Sequence, residues 1–134
     1  MQVREKIILS TLEGQRSREV SALFDTGAKF TYISDSVGKG LVFTPYKTPR
    51  EVQLAVKGRK GRILGEISLI FEVDSLEMPL PVQAYVVENL AEEAIIGTNF
   101  MEGFEIELDL KEGRARLKRY PPEVRLKFLS ENHR

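Results

Sequence analysis

An all-β barrel or sandwich is the fold this chain predicts, and three observations predict it. Short runs rich in Val, Ile, Leu, Phe and Tyr alternate apolar with polar residues. Turns marked by glycine or proline separate them, and little of the chain carries a helical pattern. No repeat, low-complexity segment or internal linker interrupts the series, so the 134 residues read as one domain with a modest core.

Lys6-Ile7-Ile8-Leu9-Ser10-Thr11 reads as the first strand, with its turn at Glu13-Gly14-Gln15 and a return strand from Arg18 to Phe24. Phe30-Thr31-Tyr32-Ile33 is a short β-rich run. Ser34 or Asp35 is placed to cap a turn of helix that Gly38 and Gly40 end. Thr44 to Pro49 reads as an irregular, proline-punctuated connection. A long hairpin follows, Glu51 to Val56 going out and Arg62 to Phe71 returning, with Lys57-Gly58-Arg59-Lys60-Gly61 at its exposed tip.

Pro79 to Val87 is a further strand, with prolines only at its start. Leu90 to Glu93 forms a loop into Ala94-Ile95-Ile96-Gly97, a buried strand that breaks into a short helix with Thr98 or Asn99 near the cap. Phe104 to Leu110 alternates strictly and turns at Lys111-Glu112-Gly113 into Arg114-Ala115-Arg116-Leu117. From Tyr120 the character changes. Pro121-Pro122 suit the start of a short helix over Glu123 to Glu131, although Val124, Leu126 and Phe128 also fit a strand. The expected division is a domain over 1–119 and an appendage over 120–134. His133, the single histidine, falls in the last two residues and reads as tail, not as a base or ligand.

Composition narrows the function. Lys plus Arg and Asp plus Glu are both 20, so net charge points to neither nucleic acid nor membrane. With no cysteine, disulfides and thiolate metal sites are excluded. No run approaches a membrane span and Met1 to Lys6 lacks the form of a signal peptide, so a cytoplasmic location is expected. The 30% of charged residues, mostly Lys, Arg and Glu, leans toward a heat-adapted source.

One stretch carries chemistry. Val20, Ala22 and Phe24 alternate with Ser21 and Leu23 and bring the chain as a strand to Asp25. Thr26-Gly27-Ala28 then turns tightly with small side chains only. A carboxylate there lies partly buried at the mouth of a loop, where burial and turn amides act on it in opposite directions. Taken alone, Asp-Thr-Gly is also ordinary turn chemistry. The basic residues Lys57, Arg59, Lys60 and Arg62 form a candidate phosphate patch. Without interleaved aromatics or net basic charge they read better as a solvated hairpin end, and as a lid.

Ala22 to Ala28, the hairpin over Val52 to Ile67, and Ile95-Ile96-Gly97 with Asn99-Phe100 occur in that order, the first and last roughly 70 residues apart. Over residues 6 to 118 the chain resembles the retroviral-type, single-lobed aspartic proteases (retropepsins and their cellular and retrotransposon relatives). That resemblance implies a closed acid-protease barrel, one lobe per chain, with a short helix after Ile-Ile-Gly. It makes Asp25 the catalytic acid and Thr26, Gly27 and Ala28 its loop. Val56, Lys57, Gly58, Arg59, Lys60 and Gly61 become the flap, and Ile95, Ile96 and Gly97 the support beneath the loop.

The resemblance further implies an aspartic endopeptidase acting on peptide or protein substrates as a homodimer. Only one such acid loop is encoded, so a second copy of the chain must provide the second carboxylate. No metal or organic cofactor is required. Retroviral members commonly pair an acid after Asp-Thr-Gly-Ala with an arginine after Ile-Ile-Gly; here Lys29 and Thr98 stand there, so that ion pair cannot form. The competing readings are a non-catalytic dimerisation or peptide-binding module of the same fold, and a basic-lid barrel that binds nucleic acid or an acidic partner through Lys57 to Arg62.

Overall fold

β1 (Gln2–Ser10) and β2 (Ser17–Asp25) form the hairpin on which the rest closes, in register from Gln2 opposite Asp25 to Ser10 opposite Ser17. Both are longer than their apolar centres, because the paired ends Gln2 to Glu5 and Ala22 to Asp25 extend the ladder beyond the run of Ile and Leu. The computed structural model describes residues 1–53 and 60–122. The flap positions Val56, Lys57, Gly58 and Arg59 and the appendage from 123 onward, with its expected helix, lie outside the described residues.

After β2 the chain makes β3 (Tyr32–Ser34), α1 (Asp35–Leu41), β4 (Thr44–Gln53), β5 (Lys60–Val73) and β6 (Leu76–Glu77). β7 (Val82–Val87), β8 (Ala94–Ile96), α2 (Thr98–Gly103), β9 (Ile106–Asp109) and β10 (Arg114–Leu117) follow. Strand order in the main sheet is β1-β2-β8-β3-β7-β5-β4, and β1 also pairs β5, so the sheet closes into a barrel with β4 and β6 outside the ring. β9 and β10 form a separate hairpin. The fold is mostly β, as expected, but two pairings are parallel, β2 with β8 and β3 with β7. Hairpin reasoning does not foresee them, since parallel neighbours are far apart in sequence.

Inward-facing residues of the ring, among them Ile7, Leu9, Val20, Phe24, Ile33, Leu69, Phe71 and Ile96, fill the core. Phe100 of α2 stacks on Phe71 at 4.8 Å and lies 5.1 Å from Phe104, which fastens the helix and the start of the last hairpin to the barrel. Ala115 is fully buried, and its amide donates to Glu5 Oε2 at 2.7 Å, tying β10 to β1.

Several expectations need correction. Thr44 to Pro49 belongs to β4: both prolines sit on a strand at the edge of the sheet, where no ladder partner needs their missing N–H, and the register shifts between Pro45 and Arg50. Gly38 and Gly40 do not end α1. Ser34 caps it through its side chain, and the helix runs on to Leu41, with Val42 left-handed beyond it. Gly38 is small for packing reasons, since a Cβ there would lie 2.8 Å from Val86 Cγ1. Lys60 and Gly61, expected at the hairpin tip, are the first residues of β5, opposite Gln53 and Val52. The strand over Pro79 to Val87 begins only at Val82 and the last hairpin's first strand at Ile106. No described helix is long and apolar enough to cross a membrane.

Candidate active site

Asp25 is the last residue of β2, with buried Phe24 locking the strand before it. The Ala28 amide donates to Asp25 O at 3.0 Å, closing the turn that the small side chains of Thr26-Gly27-Ala28 permit. Within that turn the Gly27 amide donates to Asp25 Oδ1 at 2.8 Å. The other oxygen, Oδ2, accepts from Gln2 Nε2 at 3.2 Å, a contact set by the β1–β2 register. Both oxygens thus meet a donor. Asp25 is half-buried, as the sequence predicts.

The support beneath the loop is tight. A Cβ on Gly97 would lie 2.1 Å from Phe30 O and 2.8 Å from Ala28 O, so only glycine lets β8 run into α2 against the loop. Gly97 itself is the helix N-cap, in extended conformation and without a side-chain cap; Thr98 and Asn99, expected near the cap, are the first helical residues. Their amides instead donate to the loop carbonyls, Thr98 N to Ala28 O at 2.8 Å and Asn99 N to Lys29 O at 3.0 Å. Fully buried Thr31 donates to Asn99 Oδ1 at 2.9 Å and accepts from Gly97 N at 3.3 Å. Ile95 and Ile96 pair in parallel with Leu23 and Phe24, so the support and the strand bearing the acid are one piece of sheet.

Asp25 opens onto a cleft of about 270 Å³ whose walls include Ala28, Lys29, Tyr32, Val52, Val87 and Ile95. Val52 brings the outgoing arm of the β4–β5 hairpin to the wall facing the acid. Three elements thereby gather around Asp25: the loop, the hairpin arm and the β8 support. An apolar cleft with one carboxylate at its edge can hold an extended chain's side chains while presenting a backbone carbonyl to the acid.

Sequence reasoning missed Gln2, Thr31 and the Met1 carbonyl, which accepts the Thr26 amide at 3.1 Å and the Thr26 hydroxyl at 3.4 Å. Extending the β1–β2 register outward from the Ile7–Val20 pair finds the first of these, since it places Gln2 opposite Asp25. Thr31 gives no such signal in one sequence.

The closed barrel with its single acid loop is a retropepsin-like fold. Among solved structures the chain is similar to the retroviral protease-like domain of Ddi1 from Leishmania major, at TM-score 0.61 and 17% identity, covering 87% of this chain and 89% of that one. It is also similar to EIAV protease complexed with the inhibitor HBY-793, at TM-score 0.54 and 13% identity, covering 82% of this chain and 94% of that one. No protein-family model and no curated protein matches the sequence.

Proposed function

We propose that the chain is an aspartic endopeptidase that works as a homodimer, with one Asp25 from each subunit sharing a water. The observation that carries this reading is the placement of the Asp25 carboxylate. It is held by the Gly27 amide on one oxygen, at the rim of a cleft with an apolar wall, on a loop braced by Gly97. Hydrolysis by this route needs one carboxylate ionised, to take a proton from water, and a second protonated, to donate to the scissile carbonyl. Two acids that close cannot both ionise and therefore share a proton. Asp25 is the one carboxylate that lines the cleft among the described residues, so the second comes from a two-fold-related copy. Likeness of fold to a protease solved with an inhibitor supports reading the cleft as the substrate site.

The roles divide accordingly. Gly27 holds and orients the acid, Thr26 faces outward at the expected two-fold axis, and the hairpin bearing Val52, Lys60 and Gly61 covers the bound chain and excludes water. Replacing Asp25 with Asn reduces peptide cleavage to background while the fold and the dimer persist. Cleavage by Asp25→Asn at a rate near that of the original chain refutes the assignment.

One observation favours the non-catalytic alternative. Both donors of Thr26 are satisfied by Met1 O within the chain, so the loop has partners without a second subunit. A peptide-mimetic aspartic-protease inhibitor separates the readings. An enzyme gains thermal stability from it and Asp25→Asn does not, whereas a peptide-binding module responds equally with either residue.

A further inference from the structure

One lysine lines the cleft and a second stands on the strand paired with a cleft residue, and neither forms an ion pair with a described residue. Lys29 lines it directly, one residue beyond the turn that holds Asp25. Its position is fixed at the root, because its carbonyl accepts the Asn99 amide and its neighbour Ala28 accepts that of Thr98. Its ammonium lies 5.6 Å from the centre of the Phe30 ring, itself 41% exposed, so the charge is carried on an aromatic shelf beside the cleft. Lys60 is not itself part of the lining and begins the returning strand of the hairpin. It stands directly opposite Gln53, another cleft residue, and paired residues of antiparallel strands share a face.

The neighbouring cations are accounted for. Arg62 binds Glu88 at 3.3 Å, Arg4 binds Glu92, and Arg18 binds Glu93 at 3.2 Å. Among the described residues the cleft lining has a single carboxylate, Asp25, against the charge of Lys29. In a two-fold dimer whose acids share one proton, two copies of Lys29 would border a centre carrying one negative charge. Each half of the combined site would then carry a lysine beside its apolar wall.

We infer that the cleft selects peptides with acidic side chains flanking an apolar scissile segment, with Lys29 as the specificity-determining residue and Lys60 assisting it from the hairpin. The inference rests on the proposed peptide-binding cleft and names the substrate class for it. A peptide is the favoured occupant over a nucleic acid because the wall is mostly aliphatic, Val52, Val87, Leu90 and Ile95 with the single ring of Tyr32, which matches apolar side chains better than a run of stacked bases.

The test uses three terminally blocked peptides with one shared apolar centre, flanked by Glu, Gln or Lys, and no charged ends. Cleavage is followed for the original chain and for Lys29→Glu. Binding of the same peptides to Asp25→Asn and to Asp25→Asn/Lys29→Glu is followed by fluorescence anisotropy. The Glu peptide exceeds the Gln peptide by about fivefold in kcat/KM, the value of one exposed ion pair, and the Lys peptide falls below both. Lys29→Glu inverts that order, and the binding series ranks the same way.

Equal rates for all three peptides overturn the inference and leave the protease standing. No cleavage, with acidic-peptide binding that Lys29→Glu reverses, supports the inference and removes the protease. Binding that ignores peptide charge overturns it whatever the activity. So does tighter, steeply salt-dependent binding of a single-stranded oligonucleotide in place of the Glu peptide, which would assign the lysines to phosphate.

Discussion

Replacing Gly97 with Ala adds one carbon where the chain has no room for it. The new Cβ would meet Phe30 O at 2.1 Å, Phe30 C at 2.7 Å and Ala28 O at 2.8 Å, all backbone atoms that no rotamer change can move. Either β8 or the acid loop must retreat. Overpacking of this kind costs about 1–3 kcal/mol. The retreat also stretches the bonds from Thr98 N to Ala28 O and from Asn99 N to Lys29 O, worth about 1 kcal/mol each. Together the loss is about 3–5 kcal/mol, which for a chain of this size lowers Tm by roughly 10–20 °C. Gly103→Ala, in the same helix with nothing within 4 Å of the added carbon, is the matched control and stays within about 0.5 kcal/mol of the original chain. Urea unfolding of both variants measures the difference. A Gly97→Ala protein as stable as the control refutes the claim that β8 and the acid loop are in backbone contact.

Other outcomes follow from particular contacts. Glu93→Ala strips the Ser21 amide of its 2.8 Å acceptor and Arg18 of its ion pair, so denaturant unfolding should register a loss of about 1–3 kcal/mol. Phe100→Ala empties the ring stack between Phe71 and Phe104 and costs about 3–5 kcal/mol by the same assay. The Glu112 amide, with smaller contributions from Arg116, holds the Asp109 carboxyl below its ordinary value of 3.8. A depressed folded-state value means the stabilisation is present above the unfolded value and lost as pH falls through the folded one. Thermal unfolding followed downward from about pH 4 should therefore fall less steeply in Asp109→Asn than in the original chain.

Much of this architecture is legible in the sequence, and the reasons for the rest are physical. Asp25 and Gly97 are readable because their demands are local: a strand end with a turn of small residues, and an apolar pair broken by glycine. The order of strands within β1–β2 and β9–β10 is readable because short turns join sequence neighbours. The parallel pairing of Leu23 with Ile95 is not, since about 70 residues separate them and nothing local marks parallel neighbours. Proline at 45 and 49 disguises β4, which as an edge strand tolerates it. Gly38 and Gly40 imitate a helix stop because crowding against Val86, and not chain direction, dictates the residue at 38. Gln2 goes unnoticed for a related reason: a polar residue beside a chain end acquires meaning only once the register sets it against Asp25.

The account stands on each chain holding half of a hydrolytic centre, and mixing the original protein with Asp25→Asn tests this most directly. Subunits are exchanged at constant total concentration and cleavage of the Glu-flanked peptide is measured against the fraction of original chain. Two-fold dimers with a shared pair of acids predict activity proportional to the square of that fraction, so an equal mixture retains about a quarter. Activity that falls in simple proportion, with about half remaining, would mean that one Asp25 suffices and would contradict the account.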